Sequence, residues 1–137
     1  MSRAAHVSRL QHADDGEHVA ALAIAEADIL MFILDGRAGL TPPDHEVVKL
    51  LRGVTKPIFY VINKIDTPKA EPLVADFYQL GKAECHAVSA EHGIGVSELL
   101  DALYPLLPPA DETAELTQLP RIALVGRPNV GKSTLTN

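Results

Sequence analysis

Tryptophan is absent from this chain of 137 residues, phenylalanine and tyrosine occur three times each, and Cys85 is the single cysteine. With aromatics at 4% and apolar residues at 47% of the total, a globular core has to be assembled from Leu, Ile, Val and Ala. One thiol excludes an internal disulfide. Cys85 lies in the apolar-leaning run Glu84-Cys85-His86-Ala87-Val88 and reads as a buried, reduced side chain. Basic residues are also short: 12 Lys and Arg face 18 Asp and Glu, a formal net charge of −6. That balance excludes a broadly basic surface for nucleic acid, and no direct nucleic-acid site is expected in this chain. No apolar run approaches the ~20 residues of a membrane span, and the N-terminus has no signal-type apolar stretch. A cytoplasmic location without a membrane partner is the expectation. His6, His12, His18, His45, His86 and His92 form no pair with metal-converging spacing and read as solvated or capping residues.

What the chain does have is an alternation of buried strands and helices. Residues 1–14 are polar and aperiodic and predict a frayed end. From Gly16 to Ala27 an Ala-rich stretch with Val19, Leu22 and Ala23 at helical spacing predicts a helix. Ile29-Leu30-Met31-Phe32-Ile33-Leu34 is apolar without alternation, as expected of a strand buried on both faces of a parallel sheet. After the turn Asp35-Gly36-Arg37-Ala38-Gly39, Thr41 is placed as an N-cap, with Pro42 at the first helical position and Asp44 completing the cap, for a helix ending near Gly53. Ile58–Ile62 repeats the buried-strand pattern. A helix at about 71–80, a short strand at about 84–88 and an amphipathic helix at 96–106 with Leu99, Leu100 and Leu103 inward follow. Strand and helix in strict turn imply parallel strands joined by right-handed crossovers. Pro108–Pro120 carries three carboxylates and no basic residue and reads as an acidic tether. Arg121–Val125 is a fourth buried strand.

Three motifs sit at strand ends, where open α/β sheets place ligands. Gly126-Arg127-Pro128-Asn129-Val130-Gly131-Lys132-Ser133-Thr134 follows the last strand. Its glycines allow backbone N–H groups to turn around phosphate oxygens; Lys132 is placed to reach β- and γ-phosphates, and the Ser133 hydroxyl to bind Mg²⁺. The helix that should follow is cut short at Asn137, and a short helix is marginal without tertiary packing. Asn63-Lys64-Ile65-Asp66 ends the second strand. The Asp66 carboxylate matches the paired N1–H and amino donors of guanine, the Lys64 stem could cover the base, and the Asn63 amide could tie this loop to the phosphate loop. Ser89-Ala90-Glu91 ends the third strand, with the Ala90 N–H placed for guanine O6 and Ser89 holding the loop. Read without ligands, these are polar turns that cap helices. A hydrolytic site would also need a switch of the type Asp-x-x-Gly. The nearest string, Asp14-Asp15-Gly16, has the wrong spacing, so no catalytic residue is assigned.

In the segment 23–35, in Asp35–Pro42, in Asn63–Asp66, in Tyr78-Gln79-Leu80-Gly81, in Ser89-Ala90-Glu91-His92-Gly93 and in Gly126–Asn137, the chain resembles the Der (EngA) family. These are bacterial GTPases with two tandem G domains that act in large ribosomal subunit assembly. The likeness covers roughly residues 19–137. It implies an incomplete α/β P-loop (Ras-like) parallel sheet with flanking helices. It also implies three segments: residues 1–107 as the second half of a first G domain, 108–120 as linker, and 121–137 as the first strand and phosphate loop of a second.

By the same resemblance Asn63, Lys64, Asp66, Ser89 and Ala90 read the guanine. Gly126, Asn129, Val130, Gly131, Lys132, Ser133 and Thr134 read the phosphates, with Ser133 on Mg²⁺ and GTP or GDP as ligand. In the family these two sets serve different nucleotides. The first phosphate loop, the switches and a C-terminal KH-like domain are expected to lie outside these residues, so that hydrolysis and contact with the large ribosomal subunit belong to the complete protein. A non-catalytic binding module and a circularly permuted GTPase are the alternatives. Two structural expectations follow. Ile122–Val125 should pair in parallel with Ile29–Leu34, and the isolated chain should bind GDP weakly and not hydrolyse GTP.

Overall fold

The computed structural model describes residues 6–9, 16–67, 75–77, 80, 84–107, 120–127 and 130–136. In chain order the elements are β1 (His6–Arg9), α1 (Gly16–Glu26), β2 (Ile29–Asp35), α2 (Pro42–Leu51), β3 (Ile58–Asn63), β4 (Glu84–Ala87), α3 (Val96–Leu103), β5 (Arg121–Val125) and α4 (Lys132–Thr136), with a 3₁₀ turn at Tyr104–Leu106. The five strands form one sheet in the order β1-β5-β2-β3-β4, and every neighbouring pair is parallel.

The unbroken apolar run of β2 buries both sides of its strand. Leu30, Phe32 and Leu34 join Ile24 of α1, Ala27 just after it, and Val48 and Leu51 of α2, in one core. Ile29, Met31 and Ile33 join Leu99 and Leu103 of α3, and Val130, in the other. Alternate side chains of a strand point to opposite faces, so a strand between two helical layers must be apolar throughout. Across the β2–β3 register Phe32 meets Tyr60 edge to face, with ring centroids 5.5 Å apart.

β5 lies where the sequence placed it, in parallel beside β2, with Ile29 opposite Ile122 and Phe32 opposite Val125. Its entry is clamped by Asp28, whose N–H donates to the Arg121 carbonyl at 2.8 Å while its Oδ2 accepts the Arg121 N–H at 2.7 Å. Ile122–Val125 are all buried. Docking this strand covers an edge of β2 that would otherwise expose unpaired backbone groups.

The structure differs from the sequence reading at several points. His6–Arg9, expected to fray, instead pairs with β5 residue by residue, from His6 opposite Arg121 to Arg9 opposite Leu124. His6-Val7-Ser8-Arg9 is too short and too polar to carry a strand pattern of its own. Leu100, expected inward, is exposed, as is Leu22 of α1, while Ile24, Ala27, Leu99 and Leu103 are buried. In an Ala-rich helix periodicity does not choose a face, and Leu100 stands one helical step (about 100°) from the buried Leu99. The amphipathic helix stops at Leu103 and tightens into the 3₁₀ turn, which holds Pro105. The helix expected at 71–80 falls mostly outside the described residues, of which Ala75–Phe77 form a 3₁₀ turn. The tether at 108–119 also lies outside them. Cys85 is half-buried rather than buried, and desolvation raises its thiol pKa, which keeps it protonated.

Candidate functional site

All the chemistry-bearing loops emerge at one edge of the sheet, because parallel strands present their carboxyl ends together. At the end of β2, Asp35 folds the turn that follows: its Oδ1 accepts the N–H groups of Arg37 at 2.9 Å and Ala38 at 3.0 Å. Its other oxygen, Oδ2, accepts from Lys64 Nζ at 2.9 Å. Burial by itself would raise the Asp35 pKa. The Lys64 bond and the two backbone donors outweigh it and hold the carboxyl below its ordinary value.

Asn63, at the end of β3, joins three loops. Its Nδ2 donates to the Val130 carbonyl at 2.8 Å and its Oδ1 accepts the Ala90 N–H at 3.0 Å. The two partners dictate the amide orientation, since a carbonyl needs the donor end and an N–H the acceptor end. Only 4% of Asn63 is exposed, so both bonds are made away from water. Gly131 packs directly on this amide. A Cβ there would collide with Nδ2, and φ is +99°, in the left-handed range that favours glycine. Lys64 follows with φ at +67°. A non-glycine residue in that region is uncommon and carries strain held by its surroundings.

Beyond β4, Ser89 and Ile94 exchange backbone hydrogen bonds at 2.8 and 3.0 Å, closing the Ser89–Ile94 loop into a small ring. This ring holds Ala90 against Asn63. The Ala90 N–H, expected to face guanine O6, is directed to Asn63 Oδ1 instead.

Gly126 and Arg127 leave β5, and Val130 and Gly131 lead into α4. Gly126 approaches β2 so closely that a Cβ would stand 2.6 Å from the Ile33 carbonyl oxygen. Lys132 Nζ donates to the carbonyl of Gly126, and to that of Arg127 at 3.2 Å. The side chain is buried, and desolvation lowers its pKa. A desolvated ammonium bonded to carbonyl dipoles suits an incoming anion, which would compensate the charge more fully. Val130 is buried and Thr134 exposed, while Asn129 and the Ser133 side chain lie outside the described residues.

A cavity of about 410 Å³ opens between these loops, lined by Asn63, Lys64, Asp66, Ser89, Gly131 and Thr134. Six residues assigned to two nucleotides on the sequence thus surround one space. Arg37, which the sequence reading assigned no role, also lines it, and its guanidinium pairs with Asp66 Oδ2. His92 Nε2 stands 3.7 Å from the same oxygen. The only available signal was the presence of Arg37 in the turn after β2. Nothing local tells that this turn faces the loop after β3.

The edge therefore gathers the loops to which the sequence assigned the base and the phosphates, on a parallel α/β sheet consistent with a P-loop GTPase domain. The sequence family described as "Elongation factor Tu GTP binding domain" matches residues 12–109, and the chain belongs to it. A second family, described as "50S ribosome-binding GTPase", matches residues 121–137. Within this class the particular likeness is to GTPase Der. The chain is 52% identical over 116 residues to GTPase Der of Geobacter metallireducens and 53% identical over 116 residues to that of Geotalea uraniireducens, each match covering 85% of this chain and 26% of the relative. GTPase Der of Syntrophobacter fumaroxidans is 47% identical over 120 residues, covering 85% of the chain and 27% of the relative. The chain thus spans about a quarter of the length of these relatives. None of its helices, among the described residues, is long and apolar enough to cross a membrane.

Proposed function

We propose that this chain binds a guanine nucleotide in the cavity between the loops after β2, β3, β4 and β5. Asp66 reads the base edge, the Lys64 stem covers its face, and the Gly126–Thr134 loop receives the phosphates with Lys132. The observation that carries this reading is Asn63, whose buried amide bonds both the Ser89-Ala90 loop and the Val130 carbonyl of the phosphate loop. Residues 1–107 are the second half of a first G domain and 121–137 the opening strand and loop of a second. Here the latter fills the slot beside β2, so one site draws on both sets of residues. Ser133 would supply the hydroxyl that holds Mg²⁺, a cation that neutralises phosphate charge when bound.

The likeness to GTPase Der and to a ribosome-binding family supports a role in large ribosomal subunit biogenesis, exercised by the complete protein, with GTP hydrolysis belonging there as well. No residue of this chain is assigned to catalysis. The test is a competition titration with GDP and ADP. Guanine recognition through Asp66 requires a marked preference for GDP, and equal affinities would refute it.

A further inference from the structure

We propose that Asp44 is a positioning residue for the phosphate loop, acting through Arg127. This inference rests on the reading of that loop as a phosphate site. Asp44 is the third residue of α2 and its side chain is fully buried. One carboxylate oxygen, Oδ2, accepts from both the N–H and the hydroxyl of Thr41, at 2.9 Å each, which closes the first turn of α2. The other, Oδ1, accepts from Arg127 Nε at 3.0 Å, across 83 positions of sequence. Arg127 is the second residue of the phosphate loop, and its carbonyl accepts from Lys132 Nζ. A chain of direct contacts therefore runs from the cap of α2, through Asp44 and Arg127, to the ammonium that would meet the phosphates.

The energetics favour positioning over simple stabilisation. A buried ion pair is weak evidence for stability, because desolvating both charges offsets much of their attraction. Here the offset is enlarged: Arg127 Nη2 is the single buried side-chain donor or acceptor among the described residues with no partner. What the contact does supply is direction. It pins the start of the loop while Asn63 pins its far side at Val130. Two anchors on opposite limbs of a short loop restrict how far its N–H groups can turn from a bound anion.

The test uses the full chain and the double variant Asp44→Asn/Arg127→Met, which removes both charges together and leaves neither buried alone. Asp44→Asn by itself is the second variant; its amide oxygen can still accept from Thr41 while contact with Arg127 is lost. Two measurements are made. The first is affinity for GDP and for guanosine, which lacks phosphate. Both variants should lose about tenfold in GDP affinity, as expected for one charge-assisted bond, with guanosine affinity unchanged. A merely structural role would weaken both ligands alike and would overturn the proposal.

The second measurement needs no ligand: amide exchange at Leu135, whose N–H bonds the Gly131 carbonyl at 3.0 Å. Exchange there should quicken in both variants, while that of Val61 in β3 stays as in the parent chain. Unaltered exchange at Leu135 would overturn the inference. If the parent chain itself fails to distinguish GDP from guanosine, the phosphate-site reading falls and this inference with it. If Lys132→Ala weakens GDP while both Asp44 variants match the parent, only the positioning role falls.

Discussion

Replacing Asn63 perturbs the site at its most connected point. Asn63→Ala leaves the Val130 carbonyl and the Ala90 N–H without the partners they have at 2.8 and 3.0 Å. Each buried polar group left unpaired costs about 1–3 kcal/mol. The neighbouring cavity lets water reach part of this space, so the lower half of the range applies, and the sum is ~3 kcal/mol. For a chain of this size such a loss lowers Tm by roughly 10 °C. Asn63→Asp separates the two bonds. Its carboxylate still accepts from Ala90 but sets an anion against the Val130 carbonyl, so the phosphate loop and β5 should loosen more than the Ser89–Ile94 ring. The assay is thermal unfolding by far-UV circular dichroism, with amide exchange at Ala90 and Leu135 as local reporters. If both variants melt within about 2 °C of the parent chain, Asn63 does not tie the loops together and the single-site reading loses its support.

Asp66→Asn should weaken GDP and gain xanthosine diphosphate, whose 2-oxo group accepts from an amide; competition titration of the two nucleotides checks this. Asp35 has a folded pKa below its unfolded value, so it contributes stability above about pH 4 that is lost as pH falls through the depressed value. Lys64→Met should therefore flatten the acid limb of a urea-midpoint-against-pH curve, and an unchanged limb would show that the Lys64 bond does not depress Asp35. Lys56 Nζ caps the carboxyl end of α1 through the carbonyls of Ile24 and Ala25 at 2.7 and 2.6 Å, so Lys56→Met should cost ~1 kcal/mol in urea unfolding. The purified chain should release no phosphate from GTP above background; turnover abolished by Lys132→Ala would show that this chain carries catalytic machinery of its own.

The chemistry of the site was legible in the amino-acid order because it is local. Asn63 to Asp66, Ser89-Ala90 and Gly126 to Thr134 are contiguous strings, and the apolar runs before them mark strand ends. The cap at Thr41 and Asp44, the doubly buried character of β2 and the helix–strand alternation were legible for the same reason: each is set within a few residues by backbone geometry and by side-chain direction. Even the slot of β5 could be inferred, through the resemblance to a Ras-like sheet, in which the phosphate-loop strand lies beside the strand that precedes Asp35, and through the apolar edge it would cover. Only the tertiary structure decided contacts between residues far apart in sequence. The pairing of His6–Arg9 with β5, the guanidinium of Arg37 on Asp66 and the pairing of Arg127 with the buried Asp44 depend on where loops stand across the sheet, and no spacing along the chain encodes that. The faces of α1 and α3 were decided in the same way, because adjacent apolar residues on a helix compete for one interior and the sheet selects between them.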